Sequence, residues 1–249
     1  MKYLGLIGYP LGHSFSKKYY LEKFSNEGIE GIDYDLYPIP SIEDFPNLYA
    51  DNPDLYGVNV TIPYKQDVLV YLDELSEEAK AIGAVNCIQI RQEIGKKPRL
   101  KGFNTDAFGF AESLKPLLEK HHQKALILGN GGATKAVKYA LDQMHITYQV
   151  VSRTRTAETI SYTDLSPETI QDHHLIINCS PVGTAPHIDQ CPDIPYEGIG
   201  PDHLLYDLIY NPEETRFLQN GKEKGAKIKN GYEMLILQAE KNWEIWNDL

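Results

Sequence analysis

The chain has 249 residues, enough for one large domain or two of modest size, each with its own core. Its hydrophobic content of 42% and charged content of 24% are those of an ordered globular protein, and its net charge of −11 argues against a nucleic-acid or anionic-membrane surface, which needs clustered Lys and Arg. The three cysteines, Cys87, Cys179 and Cys191, show no CxxC or finger spacing, so neither a disulfide framework nor a metal site is expected and a reducing cytoplasm fits.

The N-terminal stretch MKYLGLIGYPLGHS is too short and too broken by Gly and Pro for a signal peptide, and no apolar run approaches membrane-spanning length. From there the first hundred residues alternate. YLGLIGY reads as a strand, FSKKYYLEKFSNEG as a helix ending in Gly28, and IDYDLYPI and LYGVNVTI as strands. KQDVLVYLDEL reads as a helix, AVNCIQI as a strand, and the polar QEIGKKPRLKG as a hairpin tip. Such alternation marks an α/β layer fold. A helical face then runs through NTDAFGFAESLKPLLEKHH.

The pattern restarts at KALILGNGGATKAVKYALDQM and continues through TYQVVSRT, HLIINCS, LLYDLIY and AKIKNG, short apolar strands of the kind buried on both faces in parallel sheets. SPETIQD and PEETRFLQNGKEKG supply helices with acidic first turns, and GYEMLILQAEKNWEIW closes the chain as an amphipathic helix. Domain boundaries fall near residues 105 and 230.

Gly129, Gly131 and Gly132 lie between a strand and a helix, the setting in which glycines permit a tight turn and amides point at a pyrophosphate. The loop is G-x-G-G-A rather than a full GxGxxG, so its flanking elements carry much of the signal. About twenty residues on, where an NAD enzyme places an acid for the ribose hydroxyl, the chain reads SRTR. Ser152, Arg153, Thr154 and Arg155 are donors suited to a 2′-phosphate, so NADP is expected over NAD.

Small polar residues end several apolar segments of the first half: Ser14 and Ser16, Asn59 and Thr61, Asn86, and Asn104, Thr105 and Asp106. Strand ends line one rim of an α/β sheet, so these residues can converge on a small polyhydroxylated ligand. Taken singly, Ser14, Ser16 and Asp106 also read as helix caps and Asn86 as a turn residue. Lys65 resists such a reading, because a lysine at a helix start opposes the dipole. With Asp106 it would form an acid/base pair beside a nicotinamide.

PLGHSFSK, GVNVTIPYK, GAVN, GFNTDAFG, LGNGGATKA, SRT, INCSPVGT, YDLIYNP and GYEMLILQA, in that order from residue 10 to 239, make the chain resemble the shikimate dehydrogenase family. The resemblance implies an N-terminal α/β substrate domain over 1–105, to which 231–249 returns, and a Rossmann NADP domain over 106–230, with the active site in the cleft between them. It implies NADPH-dependent reduction of 3-dehydroshikimate to shikimate, a step of aromatic amino-acid biosynthesis. By position, Lys65 and Asp106 match the catalytic pair. Ser14, Ser16, Thr61, Asn86, Tyr210 and Gln238 match the substrate contacts, with Asn59 a neighbour. Gly129, Gly131, Gly132 and Ala133 match the pyrophosphate loop, and Ser152, Arg153 and Thr154 the adenosine-phosphate corner. Leu208 and Gly231 fall where the family's chain passes the nicotinamide.

The sequence departs from the family where Asn130 replaces Ala inside the loop, where Ser152 replaces Asn before Arg153, and at Phe103 and Ala107; it is also short, with a trimmed C-terminal helical part. A quinate/shikimate dehydrogenase using NAD is the nearest alternative, opposed by Arg153, Arg155 and the small Ser16. A non-catalytic NADP-binding sensor would be expected to lack Lys65 or Asp106. Monomer and homodimer both suit an acidic chain of this kind.

Overall fold

The computed structural model describes residues 1–12, 14–92 and 95–248. It divides into two compact units, Met1–Thr105 with Ala239–Leu249, and Asp106–Gln238.

The first unit is built on a mixed six-stranded sheet. Its strands are β1 (Lys2–Gly8), β2 (Ile32–Pro38), β3 (Leu55–Val60), β4 (Glu74–Leu75), β5 (Cys87–Arg91) and β6 (Arg99–Phe103), in the order β2-β1-β3-β5-β6-β4. β1 is parallel to β2 and β3, whereas β5 runs antiparallel to β3 and β6. All six residues of β3 are buried, which is why its apolar positions do not simply alternate with exposed ones. Helices α1 (Phe15–Glu27), α2 (Phe45–Asp51) and α3 (Glu77–Ile82) complete the layers. α1 starts at a Ser14 cap and stops at Gly28, whose φ of 64° is the left-handed value glycine adopts without strain.

Ile7, Phe45, Val58, Val68 and Ile88 form one core cluster, and Leu4, Tyr20, Tyr34, Cys87 and Trp246 another. KQDVLVYLDEL does not form the expected α-helix. It makes a 3₁₀ turn over Asp67–Tyr71 and then β4. β-branched Val68 and Val70 disfavour the helix, while Asp73 exchanges backbone and side-chain hydrogen bonds with Leu100 at 2.9 and 2.8 Å and commits the segment to pairing with β6. In the β5–β6 hairpin, Glu93 and Ile94 lie outside the described residues.

The second unit holds β7 (Lys124–Leu128), β8 (Thr147–Ser152), β9 (Thr159–Ser161), β10 (Leu175–Asn178), β11 (Leu204–Asp207) and β12 (Lys227–Lys229), all parallel, in the order β12-β11-β10-β7-β8-β9. This is the doubly wound order, and it reverses between β7 and β10, so a crevice opens beyond the C-terminal ends of those two strands. Its helices are α4 (Asp106–Leu114), α5 (Gly132–Gln143), α6 (Pro167–Gln171), α7 (Arg216–Glu223) and α8 (Tyr232–Asn247). α4 ends at Leu114 rather than running on to His122, because Pro116 follows two residues later and only a 3₁₀ turn, Lys115–Leu117, continues it. α7 lacks the expected acidic first turn: Thr215 caps it, leaving Glu213 and Glu214 outside.

The second division falls within α8, at Gln238, rather than near 230. The cause is packing. Met234 joins the Phe110/Tyr206 cluster of the second unit, whereas Ala239 and Trp246 belong to the Tyr20/Tyr34 cluster of the first. A side chain at Gly57 would strike the Trp246 indole, and that indole donates to the Ile88 carbonyl at 3.0 Å.

Candidate functional site

In the first unit, GVNVTIPYK leaves the sheet through a turn. The Thr61 N–H donates to the Ile7 carbonyl at 3.0 Å, and the Tyr64 N–H closes back onto the Thr61 carbonyl at 3.0 Å around Pro63. Tyr64 is buried, with its hydroxyl on the Ile39 carbonyl at 2.6 Å. The Lys65 carbonyl then accepts the Val85 N–H at 2.7 Å. Lys65 is therefore fixed through its carbonyl and follows a buried, hydrogen-bonded Tyr64; it is half-buried and opens no helix.

A buried polar network ties the other motifs of this unit together. The Tyr34 hydroxyl donates to Asn59 Oδ1 at 2.8 Å and also hydrogen-bonds Ser16; Asn59 Nδ2 donates to the Asn86 carbonyl at 3.2 Å. Asn86 Oδ1 accepts the Thr105 N–H at 2.7 Å, Asn86 Nδ2 donates to Thr105 Oγ1 at 2.9 Å, and that hydroxyl donates to Asn242 Oδ1 at 2.6 Å. Asn59 and Asn86 are 5% and 3% exposed, and both amides hydrogen-bond neighbouring motifs. Burial pushes the Tyr20 and Tyr34 phenols well up, keeping both as neutral donors. Ser14 caps α1, accepting the Lys17 N–H at 3.3 Å, whereas Ser16 lies inside the helix. Tyr34 and Asn242 escaped the sequence reading, because an isolated Tyr in a strand or Asn in a helix carries no signal of its own.

In the second unit the glycine loop leaves β7 at the point of strand reversal. Gly129 has φ 109°, and a side chain there would press on the Ser180 backbone nitrogen at 3.1 Å. Thr134 Oγ1 bonds back to the Gly129 carbonyl at 3.0 Å. At Gly131 and Gly132 an added Cβ would meet nothing within 4 Å, and α5 starts with no side-chain cap. An open cradle before a bare helix start fits a pyrophosphate. Asn130 is exposed and Ala133 half-buried in the same loop.

Beyond β8, Ser152 is fixed by Thr159, whose hydroxyl lies 3.0 Å from its own. Arg153 and Thr154 are exposed, and among the described residues Arg153 makes no ion pair. Arg155 instead lies 3.7 Å from Asp164.

Leu208 and Gly231 are brought together: a side chain on Gly231 would run into the Leu208 carbonyl. Tyr210 is 38% exposed, while Gln238 is 8% exposed on the stretch of α8 that packs at Gly109 of α4. Asp106 is the first residue of α4. Lys65 and Asp106 thus belong to different units.

The sequence reading also missed Asp207, Asn178 and Thr215. Asp207, fully buried at the end of β11, accepts from Asn178 Nδ2 at 3.0 Å, the Ile209 N–H at 3.0 Å and Thr215 Oγ1 at 2.6 Å. Burial pushes its carboxyl up to about 6, against the opposing pull of these donors. The available signal was a polar residue ending each of two apolar strands, LIIN and LLYD.

A parallel sheet of this order, a bare helix start behind a glycine loop, and an arginine at the ribose corner define a dinucleotide-binding protein of the dehydrogenase class. The family model of the shikimate dehydrogenase substrate-binding domain matches residues 6–88. The chain is 37% identical to the shikimate dehydrogenase (NADP(+)) of Carboxydothermus hydrogenoformans, over 98% of this chain and 91% of that protein. It is 39% identical to that of Clostridium beijerinckii, over 100% and 93%. A solved structure of shikimate 5-dehydrogenase from Thermus thermophilus, in complex with NADP(H) and shikimate, superposes with a TM-score of 0.85 at 33% identity, covering 100% of this chain and 94% of that one. The chain belongs to the shikimate dehydrogenase family.

Proposed function

We propose that the protein catalyses the reversible NADPH-dependent reduction of 3-dehydroshikimate to shikimate, as its family membership and fold support. The observation that carries this reading is the hydrogen-bonded assembly of GVNVT, GAVN and GFNTD through Asn59, Asn86 and Thr105, which locks together the end of β3, the start of β5 and the end of β6, where the motifs of the family lie. NADPH, when bound, supplies the hydride. The Lys65 side chain, on a backbone pinned by Val85 next to the buried Tyr64, supplies the proton to the oxygen that becomes an alkoxide, with Asp106 as the second ionisable member of the acid/base pair. Ser14, Ser16 and Thr61 present hydroxyls for the substrate, and Tyr210 and Gln238 polar groups from the second unit. Gly131, Gly132 and Ala133 offer amides to the pyrophosphate, while Arg153, with Ser152 and Thr154, receives the 2′-phosphate.

An NADPH-oxidation assay with 3-dehydroshikimate tests the reading, run beside quinate and NAD. Oxidation of quinate with NAD at a rate matching shikimate with NADP would overturn it.

A further inference from the structure

Asp207 is a point of convergence for three segments. Its carboxylate accepts from Asn178 at the end of β10, from the Ile209 N–H at the exit of β11, and from Thr215 at the cap of α7. Asn178 extends the hold: its Oδ1 accepts the Ser180 N–H at 3.0 Å and the Ser180 hydroxyl at 2.6 Å, and its Nδ2 also reaches the Val182 carbonyl at 3.3 Å. Ser180 is the residue whose backbone borders Gly129, and the Leu208 N–H donates to the Asn178 carbonyl at 3.0 Å while the Leu208 carbonyl backs onto Gly231. The loops beside the glycine loop at the strand reversal are thus tied to one carboxylate. Every partner donates, so an amide in its place would turn an NH₂ toward a donor.

We propose that Asp207 is a positioning residue for the dinucleotide: its carboxylate holds the loops after β10 and β11 in the arrangement the cofactor requires, acting through them rather than by contact. This rests on the NADP-dependent reading above. Among the described residues no cation acts on the carboxylate, whose hydrogen-bond partners are the three donors; the titratable groups that sense it are Cys179, leaving β10, and Tyr196, in the 3₁₀ turn Tyr196–Gly198, both pushed up by burial. The protonated acid therefore resembles an asparagine, with a donor where an acceptor stood.

The test is NADPH affinity of the full chain, followed by nicotinamide fluorescence from about pH 5 to about pH 8, for wild type and Asp207→Asn. Taking the ratio of the two Kd values cancels the titration of the cofactor's own phosphate, which falls in the same range. The ratio is expected to be about tenfold at the alkaline end, as for a lost charge-assisted hydrogen bond, and to fall toward one through about pH 6. A ratio that is flat with pH, or a Kd unchanged by the substitution, overturns the proposal. A wild type that binds no NADPH overturns instead the reading beneath it. If Asp207→Asn does not fold, Thr215→Val removes one of the donors that lower the Asp207 carboxyl, and the pH at which NADPH affinity changes should move upward. An unmoved midpoint overturns the proposal equally.

Discussion

Acidification to just below neutrality should loosen the second unit from the edge opposite its glycine loop. His121 and His122 precede β7, His174 precedes β10 and His203 precedes β11, and their rings form a chain with centroid separations of 4.3, 5.3 and 5.2 Å. Two of them are deeply buried, His122 at 2% and His203 at 4% exposure. His122 Nδ1 accepts the Glu119 N–H at 2.9 Å and its Nε2 faces the Asp202 carbonyl at 3.3 Å; His203 Nδ1 accepts the Gly200 N–H at 3.0 Å and its Nε2 faces the Ile170 carbonyl at 3.0 Å. In both, a second proton would have to sit at Nδ1, where a backbone N–H already donates. Burial, reinforced by the neighbouring histidines, holds both below the ordinary histidine value, and the backbone hydrogen bonds to Asp202 at His122 and to Ile170 and Gly200 at His203, with the Glu119 and Asp202 charges, offset this only in part.

With folded values depressed, the unfolded chain binds more protons, so this stability is complete above about pH 6.5 and is lost as pH falls below it. Two such groups give a slope of about 2.7 kcal/mol per pH unit at most. Asp207 opposes them: its folded value of about 6 lies above its unfolded one, so between about pH 6 and about pH 4 it returns roughly half of that slope. Urea unfolding across this range, for wild type and the His122→Asn/His203→Asn pair, measures the effect, since Asn keeps an acceptor near the Nδ1 position. The variant should be flatter between about pH 6.5 and about pH 5.5. Equal slopes for the two proteins would refute the reasoning.

Three further outcomes are expected. Lys65→Met should lower kcat by about 10²- to 10⁴-fold with the NADPH Kd nearly unchanged, checked by steady-state kinetics and fluorescence titration; near-normal turnover would remove Lys65 from the chemistry. Arg153→Ala should raise the KM for NADPH about tenfold or more and leave that for NADH alone, whereas Arg155→Ala, which breaks an exposed pair with Asp164, should change NADPH use by less than about threefold. Trp246→Ala, in a fully buried site, should cost about 3–5 kcal/mol in chemical denaturation, and Trp246→Phe about 1–3 kcal/mol for leaving the Ile88 carbonyl without its donor.

β7, β8, β10 and β11 were legible as strands because a parallel sheet covered on both faces leaves continuous apolar runs, and the glycine loop was legible from the strand before it and the helix after it. The 3₁₀ turn at Asp67–Tyr71 was not, because its fate is decided by pairing between β4 and β6. The division within α8 was hidden for a similar reason: Met234 and Trp246 stand in one continuous helix, and only their packing partners separate them. A sequence also cannot show that the amides of Asn59 and Asn86 tie the motifs together, because their partners stand far away along the chain. The histidine chain was more accessible than it looked, since each member stands just before a strand and parallel strands begin on one edge.

That register also explains why the two edges of the second sheet respond oppositely to acid. Asn178 is the register partner of both Leu128 and Asp207, so the residues ending these strands meet at one rim, and the residues preceding Ala125, Leu175 and Leu204 meet at the other. At the first rim the buried group is a carboxylate that accepts from every partner, and protonation relieves its burial while disordering what it holds. At the second the buried groups are neutral imidazoles satisfied by backbone, and protonation charges them where no carboxylate is close enough to compensate fully. Loss of NADPH affinity and loss of stability on acidification therefore arise from different residues. Asp207→Asn should remove the carboxylate's share of the pH dependence of the first, leaving that of the cofactor's phosphate, without flattening the histidine contribution to the second, and the histidine pair should do the reverse.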